Sequence, residues 1–107
     1  MAGTYTKIYI QIVFSVYRRQ PLILNTFRNE LFSYMAGIIK DLGHKTIIIN
    51  GTADHVHIFI GLKPETAIAD LVRMVKNNSS KFVNDRGWLK RRFAWQSGYC
   101  AFSYSYD

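Results

Sequence analysis

A chain of 107 residues, 49% of them hydrophobic and only two of them proline, has material for one hydrophobic core but not two, and is too apolar to stay disordered. Fourteen Lys and Arg against seven Asp and Glu give a formal charge of +7, which favours a polyanionic partner, nucleic acid before membrane. One cysteine, Cys100, excludes an internal disulfide, no signal-like segment opens the chain and no apolar run approaches the roughly 20 residues of a bilayer span, so a cytoplasmic protein without membrane association is expected.

Residues 4–17 alternate Ile8, Ile10, Ile12, Phe14 and Val16 against Tyr9, Gln11, Val13 and Ser15, the period of a strand with one face in a core. Asn25 is positioned to cap a helix in which Phe27, Leu31, Tyr34, Met35, Ile38 and Leu42 recur at three- and four-residue steps up to Gly43. Residues 44–50 and 54–62 flank an Asn50-Gly51 turn and read as a hairpin of adjacent antiparallel strands. A second helix is expected over residues 63–85, opened by Pro64 and Thr66, with Ile68, Leu71, Val72, Val75 and Phe82 on its apolar face. A basic aromatic segment, residues 86–98, leads to a last strand alternating Cys100, Phe102, Tyr104 and Tyr106 against small residues. The order β, α, β, β, α, β predicts an α+β fold of the ferredoxin-like kind, a four-stranded antiparallel sheet with both helices on one face, in a single domain.

In the third strand, His55, His57 and Phe59 share one side while Val56, Ile58 and Ile60 share the other. The aliphatic set belongs beneath the helices, so both imidazoles fall on the helix-free face, with Cβ atoms roughly 7 Å apart, a distance at which two side chains can converge on one cation. Two nitrogens do not complete a metal site, and Asp54, next in sequence, points to the opposite face of a regular strand.

The run Asp54-His-Val-His-Ile-Phe-Ile60, the basic helix containing Asn-Asn-Ser-Ser at 77–80 and the later Trp95-Gln-Ser-Gly-Tyr-Cys-Ala-Phe-Ser-Tyr-Ser105 together resemble the single-tyrosine HUH transposases, the TnpA type that includes REP-associated tyrosine transposases. The resemblance covers essentially the whole chain. It implies cleavage and rejoining of hairpin-marked single-stranded DNA by a homodimer, with His55 and His57 as catalytic residues that hold Mg²⁺ or Mn²⁺ while a tyrosine attacks and remains joined to the 5′ phosphate. In that family the strand matching residues 101–106 is followed by a helix bearing the nucleophile and a further metal-ligating glutamine. This sequence stops at Asp107, so the expectation is a domain truncated before that helix, which binds DNA but does not cleave it alone. Tyr104 and Tyr106 are the fallback nucleophiles, although they read first as sheet-face aromatics.

DNA contacts are expected from three basic groups. Arg73, Lys76, Asn77 and Ser80 form a polar stripe on the second helix that contains no acid and continues toward Lys81 and Arg86. Lys90, Arg91 and Arg92 interleave with Phe93 and Trp95, cations for phosphates beside a ring for an unpaired base, though one of Trp88 and Trp95 belongs in the core. Arg18 and Arg19 close the first strand. The competing readings are a non-catalytic ferredoxin-like module that stacks bases on Tyr9, Phe59 and the last strand, and a metal-binding or small-ligand domain whose charge is incidental.

Overall fold

The computed structural model describes residues 7–63 and 66–106. Strand β1 (Lys7–Ser15) leads through a single 3₁₀ turn (Tyr17–Arg19) to helix α1 (Arg28–Asp41), then β2 (Lys45–Gly51), β3 (His55–Leu62), α2 (Ile68–Arg86) and β4 (Cys100–Tyr106). The sheet runs β2-β3-β1-β4, every neighbour antiparallel, which is the expected ferredoxin-like arrangement. No described helix is long and apolar enough to cross a membrane.

Alternation in the strands becomes a two-sided sheet because the register aligns like with like. Ile10, Ile12 and Phe14 sit opposite Ile60, Ile58 and Val56, and all six are 3% exposed or less. Leu31, Met35 and Ile39 of α1 and Leu71, Val72, Val75 and Val83 of α2 close over them. Burying such a set removes each side chain's apolar surface from water, at about 1.5–3 kcal/mol apiece before entropy is counted.

Both helices start later than expected. Asn25 is exposed within a turn in which the N–H groups of Phe27 and Arg28 donate to the Leu24 carbonyl, and Phe27, not Asn25, precedes the first turn of α1. Packing replaces the cap: the Phe27 ring lies flat on Trp88 at 4.5 Å, and the Arg28 guanidinium donates to the Ile23 carbonyl at 2.7 Å. Helix α2 begins after Ala67 without a side-chain cap; Pro64, expected to open it, lies outside the described residues. Its C-terminus follows the usual rule, with Gly87 in the left-handed region at φ 66°.

The two helices are held together by rings and one ion pair. Tyr34 and Phe82 stack with centroids 3.9 Å apart, and Arg86 pairs with Glu30 at 2.6 Å. The irregular segment after α2 is tied back by Asn84, whose amide donates to the Phe93 carbonyl at 2.9 Å and accepts the Phe93 N–H at 2.8 Å. It then runs along the end of β1, where Tyr17 N–H donates to the Ala94 carbonyl and Gln96 N–H to the Ser15 carbonyl.

Candidate functional site

His55 and His57 lie on the helix-free side, their ring centroids 5.0 Å apart, while Val56 between them is fully buried. The alternation read from sequence therefore places both imidazoles where expected. Asp54 does not point away from them. The strand begins only at His55, so strand alternation does not govern Asp54, which sits in the preceding bend with its carbonyl accepting Val16 N–H. Its carboxylate reaches His55 Nδ1 at 2.8 Å.

That contact sets the chemistry of His55. An ionised carboxylate only accepts, so Nδ1–H donates to it, and in the neutral ring this leaves the lone pair on Nε2, the tautomer a metal ligand needs. Thr52 braces the pair: its hydroxyl donates to Asp54 Oδ1 at 3.1 Å and lies 2.9 Å from His55 Nδ1. The hydrogen bond from His55 holds the Asp54 carboxyl below its usual pKa against the opposing effect of burial, with Thr52 and Arg19 adding to the lowering. His57 has a different partner, the Gln11 amide at 3.2 Å from its Nδ1. Gln11 was legible only as an outward-facing residue of the first strand; its contact with His57 required the register that pairs it with Phe59 and Val13 with His57.

His55, His57, Thr52 and Gln11 line one open cavity of about 670 Å³, shared with Tyr9, Ile48, Asn50, Phe59 and Tyr104. Among the described residues there is no group of three or more His, Cys, Asp or Glu placed to hold one ion. The donor set fits a partial site: two imidazole nitrogens, one oriented by a carboxylate, with remaining positions left to water or to oxygens of a bound molecule.

Tyr104 faces the same cavity but at its far end. It pairs with Tyr9, which pairs with Gly61, four residues along β3 from His57, about 13 Å at strand spacing. Tyr106 pairs with Lys7, a further step away, and its side chain lies outside the described residues. The register thus carries both fallback nucleophiles away from the histidines.

The expected DNA-binding residues separate into free and committed groups. Lys90, Arg91 and Arg92 are exposed, and the Ala94–Tyr17 hydrogen bond brings them to the same end of the sheet as Arg18 and Arg19. Both of those arginines have φ 56°, a left-handed conformation that costs a non-glycine residue of order 1 kcal/mol. Gln96 offsets part of this by accepting Arg18 N–H through Oε1 at 3.0 Å, and Arg19 reaches Asp54 at 3.5 Å. Arg73, Lys76 and Asn77 line a smaller groove of about 260 Å³ beside Tyr99. The stripe is not free of acid influence, because Asp70, one turn earlier, lies 3.6 Å from Arg73. Lys81 likewise pairs with Asp85, which raises its pKa, and Arg86 with Glu30.

Three of the expected contacts are occupied by the fold. The Lys76 ammonium donates to the carbonyls of Gln96 at 2.6 Å and Gly98 at 2.9 Å, and burial pushes its pKa down. Ser80 turns its hydroxyl to the Asn77 carbonyl. Trp95, expected beside an unpaired base, is 9% exposed, packed edge-on against Phe14 and Phe93, with its indole N–H donating to the buried Ser79 hydroxyl at 2.9 Å. Trp88 is also packed, on Phe27 and Phe82, so both indoles act as core anchors.

Among solved structures, the chain superposes on a candidate transposase from Deinococcus radiodurans R1 with a TM-score of 0.87 at 20% identity, covering 95% of this chain and 82% of that one. It also superposes on a REP-associated tyrosine transposase solved with a REP hairpin, with a TM-score of 0.67 at 15% identity, covering 97% of this chain and 61% of the other. At such identities the likeness is one of fold. No curated protein matches the chain. The family described as IS200-like transposases matches residues 4–107, and the chain belongs to that family.

Proposed function

We propose that this transposase-family chain binds single-stranded DNA, marked by a hairpin, across the open face of its sheet, with a phosphate seated at His55 and His57. The observation that carries the reading is the orientation of His55 by Asp54, beside a second imidazole on the face that none of the described helices covers. A carboxylate bonded to Nδ1 is the arrangement that fixes a metal-ligating histidine. Mg²⁺ or Mn²⁺ held there would supply Lewis-acid polarisation of a phosphoryl oxygen.

The chain's own residues provide the rest. Arg18, Arg19, Lys90, Arg91 and Arg92 gather positive charge at the histidine end of the sheet, where DNA backbone would enter, and Arg73 with Asn77 extends it along α2. Lys76 and Gln96 act from within, holding the 96–98 turn and the Arg18 backbone in place. Trp95 contributes stability, not base contact. The reading assigns no nucleophile to β4, since Tyr104 and Tyr106 recede from the histidines along the strand. A homodimer and cleavage through a phosphotyrosine are the further parts of the proposal, supported by family membership.

The test incubates the protein with end-labelled hairpin-bearing single strands and Mn²⁺ and resolves products on a denaturing gel, alongside binding by anisotropy. Metal-stimulated binding that His57→Ala abolishes supports the histidine site. A covalent adduct that disappears in Tyr104→Phe would overturn the placement of the nucleophile outside β4. Binding indifferent to both metal and His57 would favour the non-catalytic module.

A further inference from the structure

The open face carries more than the histidines. Phe102 is 53% exposed and Tyr104 51%, and Phe59 is half-buried between the histidine pair and Tyr104. Phe59 and Tyr104 have centroids 6.2 Å apart at 71°, and Tyr9 lies nearly parallel to Phe59 at 5.8 Å. Large exposed rings clustered on one face, in a chain of high net charge, indicate a surface that something flat and apolar covers. Tyr9, Phe59 and Tyr104 line the same cavity as His55 and His57.

We propose that Phe59 and Tyr104 form a subsite for one unpaired nucleobase, adjacent to the phosphate position at the histidines, which fixes where along the strand that phosphate sits. The inference rests on the reading of the face as a single-stranded DNA surface and adds a base contact to it. Three observations favour a base over another occupant. The paired strand residues of this face include no acid, and the Asp54 carboxylate at its histidine end is engaged by His55, Thr52 and Arg19. Phe59 follows His57 by two residues, about 7 Å along the strand, the scale of a neighbouring nucleotide. The lining also includes the Asn50 amide, paired across the strands with His57, whose oxygen accepts Gly51 N–H and whose nitrogen offers donors to a base edge.

The ring geometry also specifies the mode. A base inserted between two parallel rings needs them roughly 7–8 Å apart, twice a carbon contact distance. Tyr9 and Phe59 are too close for that, so they form a platform. Tyr104, turned 71° from Phe59, makes a corner in which a base lies on one ring and abuts the other. Such stacking accepts any base, so it selects position along the strand more than sequence.

The experiment measures anisotropy of hairpin-bearing oligonucleotides in which one abasic residue is walked through the single-stranded flank, with Mn²⁺ present. Intact protein should lose about ten-fold in affinity at one abasic position and little at its neighbours. Phe59→Leu and Tyr104→Leu should weaken binding of intact DNA to a similar extent and abolish the penalty at that same position, the non-additivity expected of two groups in contact. Tyr104→Phe, which keeps the ring, should restore both affinity and penalty. Tyr104→Leu lies on an exposed edge strand and reads the effect even if Phe59→Leu fails to fold. A flat abasic scan, with binding still dependent on His57, would overturn the subsite and leave the DNA-binding reading standing. Variants that alter only the oligomeric state would show that protein covers the face and overturn it as well. No binding of any single strand would overturn the underlying reading and the subsite together.

Discussion

The two sides of β3 are built from one eight-residue stretch and have opposite physical tasks. Val56, Ile58 and Ile60 are 0–1% exposed and packed under the helices, while His55, His57 and Phe59 stay partly open to solvent between them. On the buried side every methyl group replaces water with packed neighbours, so shape decides the residue. On the open side the polar atoms are oriented by partners outside β3: Asp54 and Thr52 of the bend before it for His55, Gln11 of β1 for His57. Stability and chemistry are thus separated by a single step along the chain, and a substitution should report one or the other.

The largest expected effect is on the buried side. Ile58→Ala should cost about 2–5 kcal/mol in denaturant unfolding, because the closed core cannot collapse around the lost volume. Trp95→Ala should fall in the same range, about 3–5 kcal/mol, and would confirm the indole as core. His57→Ala should change stability by no more than about 1 kcal/mol yet lower Mn²⁺ affinity by about 100-fold, measured by titration calorimetry or Mn²⁺ paramagnetic resonance. Equal stability losses for Ile58→Ala and His57→Ala would break the division between faces.

Smaller effects sharpen it. Asp54→Asn keeps the shape but weakens the acceptor for His55 Nδ1–H, and should reduce metal affinity by about 10–100-fold while leaving salt-dependent DNA binding intact. Arg91→Ala should do the reverse: metal affinity unchanged, and the slope of log affinity against log salt reduced by about 0.7 for a single strand. The smallest effect is on pH. Burial lowers the Lys76 pKa in the folded chain, so between that value and 10.5 the unfolded chain binds more protons, and stability rises as pH increases through that window. Lys76→Met should flatten this alkaline rise in unfolding midpoints.

Much of the fold was readable because its signals are local. A period of two marked β1 and β3 and assigned each side chain a face before any partner was known, and the three- and four-residue steps marked both helices. Helix starts were misread for the opposite reason: Asn25 is a good cap in isolation, but the Phe27–Trp88 stack, residues far apart in sequence, chose a later start. Composition could not distinguish the two tryptophans from base-stacking rings, since an indole reads alike in a core and beside DNA. Nor could a charge count show that Lys76 is committed to two carbonyls twenty residues on, or that Asp70 reaches Arg73.

By itself, then, the sequence determined that His55 and His57 share the face away from the aliphatic core, because strand alternation is a property of the backbone alone. Only the tertiary structure decided what that face can do. Asp54 turns to His55 because Val16 N–H holds its carbonyl at the strand entrance, and Gln11 meets His57 because β1 and β3 adopt one register out of several that alternation permits. The register of β4 on β1 carries Tyr104 toward Phe59 and away from the histidines, since contacts between strands depend on how core side chains interlock, which no single strand encodes.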